Sequence, residues 1–137
     1  MFDRTLRDGC YCYKYLDTLE NGQTIDFTFW EHENGVYGVE MEIYSKRKKK
    51  SSQFLETTGK CGIKGLLLAK LTLQCFIEFL EETTPIGKIK RIVIGASDNR
   101  RMRIYKHYLS KLGFKYERMP MLNGGMGMCL NVIGKKA

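Results

Sequence analysis

Two Asn-Gly pairs, Asn21-Gly22 and Asn34-Gly35, stand between stretches in which apolar and polar residues alternate. Asn-Gly is the strongest short-range hairpin signal, because a tight turn of the right twist needs left-handed backbone that these two residues tolerate. The alternation is plainest in Thr24–Glu31, where Ile25, Phe27 and Phe29 oppose Asp26, Thr28 and Trp30, and in Val36–Tyr44, where Val39, Met41 and Ile43 oppose Glu40, Glu42 and Tyr44. With Cys10–Leu19 ahead of them, these segments predict three antiparallel strands, each with one buried face.

A charge run, Lys46–Lys50, and Ser51-Ser52 follow as a solvated loop or a basic tip between strands, and Gln53–Glu56 is a candidate short fourth strand. Thr57–Gly62 reads as a turn. From Ile63 to Glu82 the period changes to that of a helix, with Leu66, Leu73, Phe76, Ile77 and Leu80 recurring, and Pro85 and Gly87 end it. Lys88–Ala96 carries the apolar run expected of a central strand covered on both faces. Ser97-Asp98-Asn99 caps a second helix reaching Leu112. Ile104, Tyr105, Tyr108, Leu109 and Leu112 lie on one side of it; Arg100, Arg101, Arg103, Lys106 and Lys111 lie on the other. Gly113 supplies a left-handed stop, Phe114–Glu117 a strand, Asn123-Gly124-Gly125 a loop and Met128–Ile133 the last strand. The order β-β-β-β-α-β-α-β-β is an α/β (α+β) arrangement, a mixed and mainly antiparallel sheet carrying helices, in one domain over residues 1–137.

The chain bears a formal net charge of +8, which favours anionic partners: nucleic acid, an acidic protein, a membrane surface or a phosphorylated cofactor. Its five cysteines, Cys10, Cys12, Cys61, Cys75 and Cys129, include no CxxC pair and have only two histidines to help, so no metal site is expected and reduced thiols are. Leu66–Leu80, the most apolar stretch, is too short to span a bilayer and is interrupted by Lys70, Gln74 and Glu78. No apolar run follows the N-terminus. A cytoplasmic protein without a membrane partner is expected.

Gly59-Lys60-Cys61-Gly62-Ile63-Lys64-Gly65 opens the long helix. The first backbone N–H groups of a helix lack intrahelical partners and, with the helix dipole, attract anions. Glycine admits phosphate oxygens close to the backbone, and Lys60 and Lys64 add charge. The turn lacks the Gly-Lys-Ser/Thr ending of a Walker loop and the three glycines of a dinucleotide fingerprint. It reads as a cradle for a phosphate-bearing small molecule, or as a glycine-rich turn without a ligand.

With Ile92–Asn99 and the ending Lys111-Leu112-Gly113-Phe114, that turn and helix resemble the GCN5-related N-acetyltransferase family over Gln53 to Glu117. In that family a strand leads through a Q/R-x-x-G-x-G/A turn into a long helix, and a second strand and helix end in a similar Gly-Phe segment. Here Gly59 stands at the Gln/Arg position and Lys64 at the second small one, while Gly62 is in register. The helices between the family's first two strands have no counterpart.

The resemblance implies acetyl-coenzyme A as cofactor and transfer of its acetyl group to an amine by direct attack. The acceptor would be a protein lysine, an N-terminus or a small-molecule amine. It implies that Lys60, Cys61, Gly62, Ile63, Lys64 and Gly65 hold the diphosphate, that the strand Gln53–Glu56 pairs through its backbone with the pantetheine arm, with Leu55, Glu56 and Thr57 as cofactor-binding residues, and that Asp98 or Asn99 meets the arm further along. Tyr105 falls at the place of the general acid, with Tyr108 one turn on as its substitute; either tyrosine equally suits core packing. The acceptor must lose a proton before it attacks, and Glu40, Glu42, Glu56, His32 and His107 are candidate bases. Trp30, Tyr11, Tyr13 and Tyr15 are candidates to line the acceptor cleft or to fill the core. A non-catalytic binding module using Arg100, Arg101, Arg103 and Lys106 on nucleic acid or a partner protein is the second expectation, and a homodimer is compatible with either.

Overall fold

A computed structural model describes residues 2–18, 22–44, 51–53, 62–95, 99–118 and 126–137. Its elements are β1 (Asp3–Arg7), β2 (Cys10–Thr18), β3 (Thr24–Glu31), β4 (Val36–Tyr44), β5 (Ser51–Gln53), α1 (Gly62–Thr83), β6 (Ile89–Gly95), α2 (Asn99–Leu109), β7 (Lys115–Arg118) and β8 (Met126–Ile133). The fold is mixed α+β: a mainly antiparallel sheet and two α-helices among the described residues.

The strands run β1-β2-β3-β4-β6-β8-β7 across the sheet, and β5 pairs with β4 off this path. One strand more than the sequence reading allowed precedes the first helix, so the expected order β-β-β-β-α-β-α-β-β is corrected at its start. The missed strand, β1, is an edge strand with every residue exposed, so it carries no apolar alternation to betray it. Its turn was readable: Asp8 and Gly9 both have positive φ, 51° and 79°, as the two central residues of a primed hairpin turn require. Asn34 and Gly35 adopt the same left-handed backbone between β3 and β4, as expected. Residues 19–23 join β2 to β3, a longer connection than Asn21-Gly22 alone.

The fourth strand is also relocated. Pairing already begins at Ser51, because Ser51–Gln53 folds back on Glu42–Tyr44 as a hairpin arm. Residues 54–56 lie outside the described residues.

Register divides the side chains between two faces. Ile25, Phe27 and Phe29 of β3, Tyr37 of β4, Ile92 and Ile94 of β6, and Met128 and Val132 of β8 share one face. They form a single buried cluster with Ala69, Leu73, Phe76 and Leu80 of α1 and Met102 and Leu109 of α2. The steps of four, three and four residues along α1 are the spacing that keeps a stripe on one side of a helix. Both helices therefore pack on the same face of the sheet. Phe76 is the aromatic hub, stacked on Phe29 at 3.9 Å between centroids and edge-on to Tyr37 and Phe2.

The strand buried on both faces is β3, not β6. Asp26 and Thr28 are buried beside Phe27, bonded to each other at 3.2 Å, with Lys14 closing on Asp26 at 3.1 Å. The neighbouring cation lets a carboxylate occupy a position its polarity would place in solvent. In β6, by contrast, only Ile92 and Ile94 are buried, and Val93 is partly open. Gly113, with φ 95°, ends the second helical region as expected, after a 3-10 turn at Ser110–Leu112.

Candidate functional site

β4 and β6 are the parallel pair of the sheet, and their pairing is short: Val36↔Arg91, Tyr37↔Ile92 and Gly38↔Val93. β4 continues to Tyr44 and β6 to Gly95, but β5 takes up the same edge of β4 only from Glu42. Between them, residues 39–41 of β4 have no strand partner on this side among the described residues. An open cleft of about 1260 Å³ lies here and is lined by Gly38, Val39 and Glu40 of β4 and by Val93 and Gly95 of β6. Ligands in open sheets favour this place, the carboxyl ends of neighbouring parallel strands.

The cleft lies on the sheet face away from the core. One row crosses that face through Cys12, Trp30, Gly38, Val93, Cys129 and Lys115. Gly38 makes the row low in the middle. A Cβ there would stand 3.0 Å from His32 Nε2, so the imidazole folds over the space the missing side chain leaves. Trp30 stands on one side and donates its indole N–H to Glu40 at 2.9 Å, which holds that carboxylate at the cleft.

Charged groups frame both ends. Arg4 donates to Glu31 at 3.1 and 2.7 Å and lies 3.6 Å over the ring of Tyr11. Tyr37, buried beneath, donates to the same carboxylate at 3.3 Å, and burial first, then Glu31, pushes its phenol well above the ordinary tyrosine range. At the far end Arg91 of β6 pairs with Glu117 of β7, and Cys129 of β8 donates its thiol to Glu117 at 2.6 Å. Arg91 also approaches that sulfur at 3.0 Å. Burial raises the Cys129 thiol, with Arg91 pulling the other way.

The sequence-derived candidates fall into three groups. Glu40, His32, Trp30 and Tyr11 meet at the cleft. Tyr13 and Tyr15 do not line it; they pack against the core, Tyr13 within 5.7 Å of Phe76 and Tyr15 within 6.4 Å of Phe27. Tyr105 and Tyr108 are half-buried on α2, Tyr105 against the core and Tyr108 edge-on to His107 at 4.9 Å, and neither lines the cleft. Glu42 is a β4 position opposite Asp26 and Gln53. Gly62, Ile63, Lys64 and Gly65 form the first turn of α1, and Asn99 opens α2. Leu55, Glu56, Thr57, Lys60, Cys61 and Asp98 lie outside the described residues.

Arg91 and Glu117 were not anticipated. They sit on different strands, and only the pairing of β6, β8 and β7 brings them together beside Cys129. Among the described residues no group of three or more His, Cys, Asp or Glu side chains is placed to hold a metal ion. No described helix is long and apolar enough to cross a membrane. Comparison with protein-family models, curated proteins and solved structures finds no match to this chain.

Proposed function

We propose that this protein binds acetyl-coenzyme A and transfers its acetyl group to an amine, as the resemblance of its turn and second helix to the GCN5-related N-acetyltransferases implies. The observation that carries the reading is the parting of β4 and β6. An extended, amide-bearing arm such as pantetheine needs a strand edge with unpaired backbone groups, and residues 39–41 have no strand partner on the side facing the cleft among the described residues. In this reading β4 serves the arm; residues 54–56 of the segment that the resemblance assigns to it lie outside the described residues. The diphosphate belongs at the first turn of α1, where the N–H groups of Gly62, Ile63, Lys64 and Gly65 precede the hydrogen-bonded part of the helix.

In this reading Glu40, whose Oε2 accepts the indole N–H of Trp30, takes the proton from the acceptor ammonium. The neutral amine attacks the thioester carbon, and a free N–H of β4 polarises the carbonyl. Tyr105 and Tyr108, the acids that the resemblance implies, stand on α2 against the other face of the sheet and do not line the cleft, so in this reading the departing thiolate takes its proton from solvent.

Calorimetric titration with acetyl-coenzyme A tests the reading. Saturable binding at a stoichiometry of about one supports it. No heat at millimolar cofactor, a concentration at which even a weak complex of about −4 kcal/mol registers, overturns it.

A further inference from the structure

Of the four described cysteines, Cys129 is the one whose sulfur meets both a carboxylate and a guanidinium. Glu117 Oε2 accepts its thiol hydrogen at 2.6 Å, and Arg91, 3.0 Å from the sulfur, is also paired with Glu117. A nucleophile within hydrogen-bond reach of a base, with the base oriented by a third group, is the signature of an activated nucleophile. The direct-attack reaction above uses none of the three.

Placement makes the arrangement relevant to a ligand. Arg91 and Glu117 line the cleft, as does Val93, the cross-strand partner of Cys129. Cys129 itself is 8% exposed and sits behind the two charged side chains, which are 38% and 50% exposed. Lys115, the residue opposite Cys129 on β7, adds a second cation on the same face.

We infer that Cys129, Glu117 and Arg91 form a thiol site that accepts an acyl group from a small thioester entering the cleft. As Sγ attacks the carbonyl carbon, its proton passes to Glu117 Oε2 and a carbon–sulfur bond forms. The bond to the leaving sulfur breaks, and Glu117 returns the proton to that thiolate. One thioester is exchanged for another, with no change of oxidation state. Arg91 holds Glu117 in line and offsets negative charge on Cys129 while the proton is away.

The site does not require coenzyme A, so it can stand or fall apart from the cofactor reading. The test incubates the full chain with S-acetyl-N-acetylcysteamine at neutral pH, followed by intact mass measurement and peptide mapping. One acetyl group on Cys129 is expected, formed at least about 100-fold more slowly in Glu117→Gln, the low end of what a positioned base contributes. Glu117→Asp should recover part of the rate. Competitive labelling of the unaltered protein with iodoacetamide adds a readout that needs no variant: pre-acetylation should protect Cys129 and leave exposed Cys10 open. Acetylation of Cys10 with Cys129 untouched, or an unchanged rate in Glu117→Gln, overturns the inference.

Discussion

Tyr37 joins the core to the rim of the cleft at a single residue. Its ring packs edge-on against Phe76 in the core, and its hydroxyl reaches the Glu31 that Arg4 holds at the cleft rim. Burial and the neighbouring carboxylate both disfavour the phenolate, so the folded protein keeps this proton more tightly than the unfolded chain does. The stabilisation is complete below about pH 10, where an unfolded tyrosine is still neutral, and declines as pH rises through the folded value. Tyr37→Phe should therefore cost roughly 0.5–1.5 kcal/mol at neutral pH, and its thermal midpoint should fall less steeply than the parent's in alkaline melts. Glu40 is the second residue whose effect is specific. Glu40→Gln keeps the size of the side chain but cannot accept a proton from the acceptor, so acetylation should slow by roughly 100-fold or more while acetyl-coenzyme A affinity stays within about twofold. Steady-state kinetics beside calorimetry separate the two quantities.

Within single elements, α1 shows how much one buried stripe contributes. Ala69, Leu73, Phe76 and Leu80 are buried, and Phe76 alone contacts aromatic rings from β2, β3 and β4. Phe76→Ala should lower stability by about 3–5 kcal/mol in denaturant unfolding. The end of α1 is latched by the C-terminal segment: Gly134 donates to Lys88 O at 2.7 Å, Lys136 N–H to Thr84 O at 3.0 Å, and Lys135 pairs with Glu81 at 2.8 Å. A Cβ on Gly134 would fall 2.2 Å from Pro85 O, so Gly134→Val should detach the segment and cost about 1–3 kcal/mol, seen as a lower melting midpoint. These elements also mark what the sequence made legible. The spans of β3 and β4 follow from alternation bounded by turns, and α1 from its period, because each has a face whose burial repeats. β1 has no buried face, and its Asp8-Gly9 turn was the one available sign. The burial of Asp26 and Thr28 was not readable, since only the register with β2 brings Lys14 to Asp26. The site was legible to the same degree. Trp30, Glu40 and His32 stand near one turn of the chain, whereas Arg91, Glu117 and Cys129 depend on strand order.

Across the whole molecule, one face of the sheet carries both helices and the core, and the other carries the cleft. The parting of β4 from β6 leaves residues 39–41 without a strand partner on that side among the described residues, within the β4-α1-β6 crossover. The central claim is that a cofactor lies along that edge. Backbone amide hydrogen exchange, followed by residue with and without saturating acetyl-coenzyme A, tests it most directly. Slower exchange is expected at Val39, Glu40 and Met41 of β4 and at Gly62, Ile63, Lys64 and Gly65 of α1, with β1 and β2 unchanged. Binding that leaves β4 exchanging at its free rate, or that protects only the basic outer side of α2 around Arg103 and Lys106, would contradict the account and favour a binding module that works through charge.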